Sequence, residues 1–338
     1  MQNATVATTS SRALLAACKN LGLDTLSLVE EAGILPEEVD NPDGRLPGAA
    51  VATLFRQALV RSGDPDLPLR AAAAVPFGAY KIIDFLAASA PSVGEGLLRV
   101  ARYFPLINST AELRVHDESD VLRLQFWTPV DPAGVPRPYV EYALAVTFLH
   151  CRHAAGFDWP LLEARFAFPK PAAKGMHERI FGCEVKFGAP RSELVIARSV
   201  WESPSRGAAS SELLRVLEDH ADRLISTLRN EEPVQANVAR LLTKALQGGD
   251  PSLENIARQL HLSPRTLQRK LRSEGCSFAD VLDRTRRFTA DVYLKERDLA
   301  LTEIAYLLGF SEQSAFTRAF QRWYGVPPSR YRMRAGAA

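Results

Sequence analysis

Four side chains with long donor groups, Arg265, Gln268, Arg269 and Arg272, fall within an eight-residue stretch that also holds Leu267 and Leu271. On a helix the two leucines form one buried stripe, and the polar four lie largely on the outer faces. An arginine fork can donate two hydrogen bonds to guanine O6 and N7, and a glutamine amide can pair with adenine N6 and N7. The chemistry on offer is non-covalent reading of base edges. A second set follows at an offset of 49, where Phe316-Thr317-Arg318-Ala319-Phe320 parallels Leu267-Gln268-Arg269-Lys270-Leu271.

Such helices need a partner helix and a tight turn to hold them. Ser252–His261 reads as a short amphipathic helix with Asp250 as cap and Pro251 at its first position. Ile256, Ala257 and Leu260 face inward. After the turn at His261–Leu262, Ser263 and Pro264 start the second helix. Ile304, Ala305 and Leu308 repeat the first pattern at an offset of 48, so the second turn carries one extra residue. Gly309 takes the place of His261. Glycine suits a positive-φ turn, and histidine tolerates it less well. Ser311 is the expected cap of the following helix. The two helix-turn-helix units span about 252–273 and 301–323. Between them Phe278–Lys295 is a helix carrying Arg284, Arg286 and Arg287, which suit phosphate contacts, as does Arg272. Two reading helices roughly 34 Å apart would address successive major grooves on one DNA face.

This region resembles the DNA-binding domain of the AraC/XylS family of bacterial transcription regulators, over about Gln235 to Arg334. The matching residues are Ile256-Ala257, Leu260, Leu262-Ser263-Pro264-Arg265, Leu267 and Leu271, then Ile304-Ala305, Leu308-Gly309-Phe310, Phe316 and Phe320. Tyr324-Gly325-Val326-Pro327-Pro328-Ser329-Arg330-Tyr331-Arg332 is the most specific piece. The resemblance implies seven helices, two of them recognition helices, and a linker helix. It places base-facing candidates at Arg265, Gln268 and Arg269, and at Gln313, Ser314, Thr317 and Arg318. The departure is His261 where glycine is common.

Charge distribution agrees. The net charge of the 338 residues is +2, but the stretch from Pro233 onward has 17 Lys and Arg against 10 Asp and Glu, while the preceding part is net −5. A basic third on an acidic body suits a DNA module joined to something else. The four cysteines, Cys18, Cys151, Cys183 and Cys276, show no CxxC spacing and read as reduced thiols. No apolar run approaches 18 residues, and Ala13–Cys18 is too short for a signal core. A cytoplasmic, nucleoid-associated protein with no membrane partner is expected.

The remainder, residues 1–200, reads as one α+β domain. Ser11–Asn20, Gly48–Arg61, Ser92–Phe104 and Pro138–Ala155 have helical spacing, and Ser92 with Glu95 makes a capping box. Leu113–His116 and Val121–Trp127 alternate around Asp117–Asp120, a hairpin signal. Ala164–Phe168 alternates again, Lys174–Phe181 is helical, and Val185–Phe187 and Leu194–Ala197 are short strands. Residues 201–233 form a linker, with Ser203–Ser211 of linker composition, and an amphipathic helix, Glu212–Arg229, that packs on its own domain, bridges the domains or pairs two subunits. The DNA-binding domain covers 234–335. The expected fold class is thus multidomain, an α+β N-terminal sensor domain with an all-α C-terminal domain.

Asp43-Gly44-Arg45-Leu46-Pro47, Ser62–Arg70 and Phe181–Gly188 resemble the N-terminal domain of an AraC subgroup called arabinose-binding-like. That resemblance implies a sensing and dimerising domain without specifying arabinose. Aromatic residues Phe77, Tyr80, Tyr103, Phe104, Phe126 and Trp127 are either core or pocket, and Phe77, Tyr80, Tyr103 and Trp127 are the effector-pocket candidates. His150, Cys151 and His153 lack zinc-type partner spacing, so neither metal nor cofactor is expected. GxSxG, HExxH, Walker A and GxGxxG motifs are absent, and Gly94-Glu95-Gly96 lies inside the capping box. The readings that stand are a regulator answering to a small-molecule effector, an enzyme or binding protein with a DNA anchor, and a regulator controlled by its own abundance. The partners of the first are double-stranded DNA, the effector, a second copy of the chain and RNA polymerase.

Overall fold

The computed structural model describes residues 4–128, 136–172, 175–206, 210–231, 234–246, 249–295 and 299–335. The chain divides into two compact units, Gln2–Leu228 and Arg229–Ala338.

The first unit is α+β. It opens with β1 (Thr5–Ala7), α1 (Thr8–Asn20), α2 (Thr25–Glu31), α3 (Pro36–Asp40), β2 (Arg45–Pro47) and α4 (Gly48–Ser62). Next come α5 (Leu67–Ala73), α6 (Ile82–Ala88), α7 (Val93–Tyr103), β3 (Glu112–Asp117), β4 (Val121–Trp127) and α8 (Arg137–Ala155). It closes with β5 (Glu163–Phe166), α9 (Met176–Phe181), β6 (Glu184–Phe187), β7 (Glu193–Ala197), α10 (Arg198–Trp201) and most of α11 (Ser211–Glu231). α1, α4, α7, α8, α9, α11 and the β3–β4 hairpin lie within a residue or a few of their expected positions, whereas the short helices α2, α3, α5, α6 and α10 are too brief to show a helical period in the sequence. Lys174 and residues 207–209 of the linker stretch lie outside the described residues.

The main sheet runs β3-β4-β7-β5-β6, antiparallel except for the β5–β6 pair. Alternation sets its faces. Leu113, Leu122, Leu124, Phe126, Ala164, Phe166, Leu194 and Ile196 join the buried set. The other face carries an ionic ladder from Arg123 through Glu193 and Arg165 to Glu163 and Lys186. α8 is buried on nearly every side, as an apolar-all-round helix must be. It ends at Gly156, whose φ of +74° only glycine adopts readily.

β1 and β2 pair in a short sheet that three-residue alternation could not reveal. Its anchor is Arg45, which donates to the Thr5 hydroxyl at 2.7 Å and to the Thr5 and Pro105 carbonyls. The Asp43–Pro47 motif therefore has a structural part here.

The second unit is all-α: α12 (Val234–Ala245), α13 (Leu253–Gln259), α14 (Pro264–Ser273), α15 (Phe278–Lys295), α16 (Leu301–Leu307), α17 (Gln313–Tyr324) and α18 (Pro328–Ala335). It has two small cores. Val238, Leu242, Ile256, Ala257, Leu267, Leu271 and Val281 form one, and Ala290, Leu294, Ile304, Ala305, Leu308, Phe316 and Phe320 the other. α15 contributes to both. None of the described helices is long and apolar enough to cross a membrane.

Candidate nucleic-acid interface and ligand cavity

Leu267 and Leu271 are fully buried, which turns the opposite face of α14 outward. Arg265, Gln268, Arg269 and Arg272 are all exposed, with no hydrogen bond or ion pair to the described chain. Ser263 caps the helix, its hydroxyl accepting from the Thr266 amide at 3.2 Å, with Pro264 at the first position. The preceding helix starts later than its sequence suggests. Ser252, not Asp250, is its cap, and Asp250 accepts from the Ser252 hydroxyl and amide. Those two bonds hold the Asp250 carboxyl below its usual pKa. Glu274, just past α14, accepts from the Val234 and Gln235 amides at 2.7 and 2.8 Å. It thus fastens the end of α14 to the start of α12.

α17 differs. Glu312, not Ser311, is its N-cap residue, because the turn is one residue longer. Gln313, Ser314, Thr317 and Arg318 are brought together on its first turns, but they are engaged with one another. The Gln313 side chain accepts from Thr302, and Thr317 donates to the Gln313 carbonyl. Ser314 donates to Glu312, and Arg318 lies 3.4 Å from the Ser314 hydroxyl and 3.5 Å from the Glu312 carboxylate. The Ser314 bond, with Arg318 nearby, lowers the pKa of Glu312.

The three arginines of α15 have different surroundings. Arg284 and Arg287 are exposed, Arg287 with its guanidinium over the Tyr324 ring. Arg286 is turned inward: it donates to the Leu308 and Gly309 carbonyls, both at 2.8 Å, and covers the Phe310 ring. Burial lowers its pKa. Asp283, which the sequence did not single out, accepts from Arg322 at 2.9 Å and from the Trp323 indole at 2.8 Å. A sequence signal for Arg286 existed: it lies on the four-residue stripe of Leu282, Ala290 and Leu294.

In the first unit, a small cavity of about 20 Å³ lies among α6, α7 and α8. That volume admits about one water. Ile83, Ala87, Val100, Phe104, Ile107 and Val146 supply apolar wall, and Ser10, Tyr80 and Tyr142 supply hydroxyls. The Tyr80 and Tyr142 oxygens are 2.7 Å apart. Burial raises both phenol pKa values, so the hydroxyls stay neutral. Asp84 accepts from the Gly78 and Tyr80 amides at 2.8 and 3.0 Å and lies 2.8 Å from His150 Nδ1. His150 Nε2 lies 3.3 Å from the Val75 carbonyl. The 75–81 segment is thereby latched over the cavity. It ends at Lys81, a non-glycine residue at φ +52° that is paired with Asp43.

Of the four aromatic candidates, Tyr80 lines this cavity. Phe77 packs on His153, with ring centroids 4.4 Å apart. Tyr103 faces α11, donating to Asp222 at 3.0 Å, and burial, with that bond second, moves its pKa up to about 12. Trp127 lies on the outer face of the sheet under the Arg114 guanidinium, 3.4 Å away. Phe104 also lines the cavity and Phe126 is core. Cys151, His150 and His153 do not converge on one point: Cys151 is core, and the two histidines have the partners just given. α11 joins the core of the first unit through Leu214, Leu217, Ala221 and Ile225, and ion pairs of Arg99 with Glu218 and Arg102 with Asp222 tie it to α7. Leu213, Val216 and Leu224 remain exposed.

Comparison with known proteins places both units. Residues 22–205 match the arabinose-binding domain of AraC transcription regulator, N-terminal, and residues 256–334 match a helix-turn-helix domain family. The ornithine utilization regulator of Pseudomonas aeruginosa is 31% identical over 324 residues, covering 95% of this chain and 94% of that protein. The transcriptional regulator VirS of Mycobacterium tuberculosis is 28% identical, with 95% and 94% covered. Among solved structures, the transcriptional regulator CdpR of Pseudomonas aeruginosa aligns at 23% identity and a TM-score of 0.39, over 91% of this chain and 96% of that one.

Proposed function

The chain belongs to the AraC family of DNA-binding transcription regulators, and we propose that its first unit takes a small-molecule effector that governs how paired DNA sites are bound. The observation that carries this is the latched cavity beneath the 75–81 segment. Its wall is mostly apolar, with neutral tyrosine hydroxyls and the mutually paired Asp84 and His150 among its polar groups. As it stands it holds about one water, so an effector enters by displacing the Tyr80 segment. The strained backbone at Lys81 supports that segment as the part that moves. The effector class that fits is a compact apolar body with one hydrogen-bonding head. An amino acid such as ornithine, with two ammonium groups and a carboxylate at neutral pH, fits poorly, because both oxygens of Asp84 already have partners.

The output is linkage: an effector that prefers one arrangement of the first unit shifts the affinity of the second for DNA by its differential binding. A second copy of the chain is the proposed partner at the exposed face of α11, and RNA polymerase the proposed downstream partner, in the cytoplasm at the nucleoid. Small apolar compounds are screened by thermal shift on the full chain, and any hit is then tested for its effect on DNA affinity and footprint. Ala143→Leu, which fills the cavity, should abolish the response and leave DNA binding intact. A hit whose effect survives Ala143→Leu, or leaves affinity and footprint unchanged, removes the proposal.

A further inference from the structure

We infer that Arg286 is a positioning residue, not a phosphate contact: it locks the second helix-turn-helix unit to α15 and so sets the spacing of the two DNA boxes the chain accepts. The inference rests on the reading that α14 and α17 address two boxes together.

α15 runs through both small cores. Phe278, Val281 and Leu282 pack in the first, and Ala290, Tyr293 and Leu294 in the second. It is therefore the element that relates α14 to α17. Arg286 sits between those two sets, with Nε on the Leu308 carbonyl and Nη2 on the Gly309 carbonyl. Those carbonyls close α16, where a helix end leaves acceptors unpaired and favours a cation. The planar guanidinium matches two adjacent acceptors in a way an ammonium does not. The Phe310 ring, 4.5 Å from the guanidinium carbon, closes the remaining side.

Asp283 lies one turn earlier on the same helix and holds Arg322 and Trp323 near the end of α17. α15 thus grips the second unit at its turn through Arg286 and at its reading helix through Asp283. Rotation of α17 about α15 would break both. A phosphate contact would require Arg286 to leave two short hydrogen bonds and a ring. Arg284 and Arg287 on the same helix are already exposed.

The experiment uses the full chain and a two-box DNA site enriched from a random pool. Arg286→Ala and Arg286→Lys are compared with Arg284→Ala and Arg287→Ala. Affinity is read against salt, against one-base-pair changes in spacing, and against the first box alone. Arg286→Ala should lose about tenfold or more on the two-box site, since it removes two charge-assisted bonds. Its binding to the first box alone and its salt slope should stay as in the parent chain. The loss on changing the spacing should shrink, and Arg286→Lys should resemble Arg286→Ala. A salt slope lower by about 0.9, with Arg286→Lys restoring affinity and spacing preference kept, would overturn the inference. If Arg286→Ala fails to fold, Arg286→Lys and Asp283→Asn carry the same test, and unchanged spacing preference in both overturns it. Failure to enrich any two-box site would strike the underlying two-box reading instead.

Discussion

His261 and Gly309 occupy the same left-handed position in the two helix-turn-helix turns, at φ of +54° and +69°. The same backbone is thus demanded twice, and only one turn meets it with glycine. Gly309→Ala should destabilise the second unit by about 1–2 kcal/mol, the usual strain of a side chain there. His261→Gly should be nearly neutral, because relief of strain is offset by about 0.5–1 kcal/mol of added chain entropy in the unfolded state. Denaturant unfolding of both variants checks this. A larger loss for His261→Gly would contradict it.

The two recognition helices should contribute unequally. Arg269 has no partner to release, whereas Arg318 lies near Ser314 and Glu312. Arg269→Ala should weaken specific binding by about 1–3 kcal/mol, and Arg318→Ala by less. Glu312→Gln should strengthen DNA binding by freeing Arg318 and removing a negative charge. Titrations on specific and non-specific DNA at matched salt separate these effects. Equal losses for the two arginines would count against the asymmetry.

Arg272, Arg284 and Arg287 should behave as phosphate contacts. Alanine at each should lower the slope of log K against log salt by about 0.9 while leaving sequence preference unchanged. A changed base preference with an unchanged slope would reassign that residue to base reading.

Asp84 should matter for stability whether or not an effector exists. It is almost fully buried and holds two backbone amides as well as His150. Asp84→Ala leaves those donors unpaired, at about 1–3 kcal/mol each. The melting temperature of the full chain should fall by several degrees, by about 2–4 °C per kcal/mol for a unit this size. A melting temperature within a degree of the parent would show that the 75–81 latch is not held as described.

The outward face of α11 gives a test of self-association. Leu213→Asp and Leu224→Asp should lower the sedimentation mass to that of a monomer without lowering the melting temperature much. Leu217→Asp, on the inner face, should unfold the first unit. A monomeric parent chain would end the dimer reading.

Much of the fold was legible because its signals are periodic. The β3–β4 hairpin alternates along two strands of six and seven residues, and the repeat of Ile256, Ala257 and Leu260 in Ile304, Ala305 and Leu308 is plain. β1 and β2 were not legible, since three residues cannot show a period and Arg45 fastens them through main-chain carbonyls. Asp250 gives way as cap to Ser252, a second cap-type residue two positions on, and Ser311 gives way to Glu312 because the second turn is one residue longer. Tyr80, Tyr103 and Trp127 look alike in sequence, yet they face a cavity, a helix and the outer side of the sheet. That difference is tertiary, and composition does not carry it.

One chain is expected to read DNA with two recognition helices of unequal weight. Selection of bound sites from random duplex DNA by the full chain tests it most directly. The expected result is a two-part motif with box centres about 10 bp apart, with more sequence information in one box, and with that box erased by Arg269→Ala. A single box, two boxes of equal information, or a motif unchanged by Arg269→Ala would contradict it.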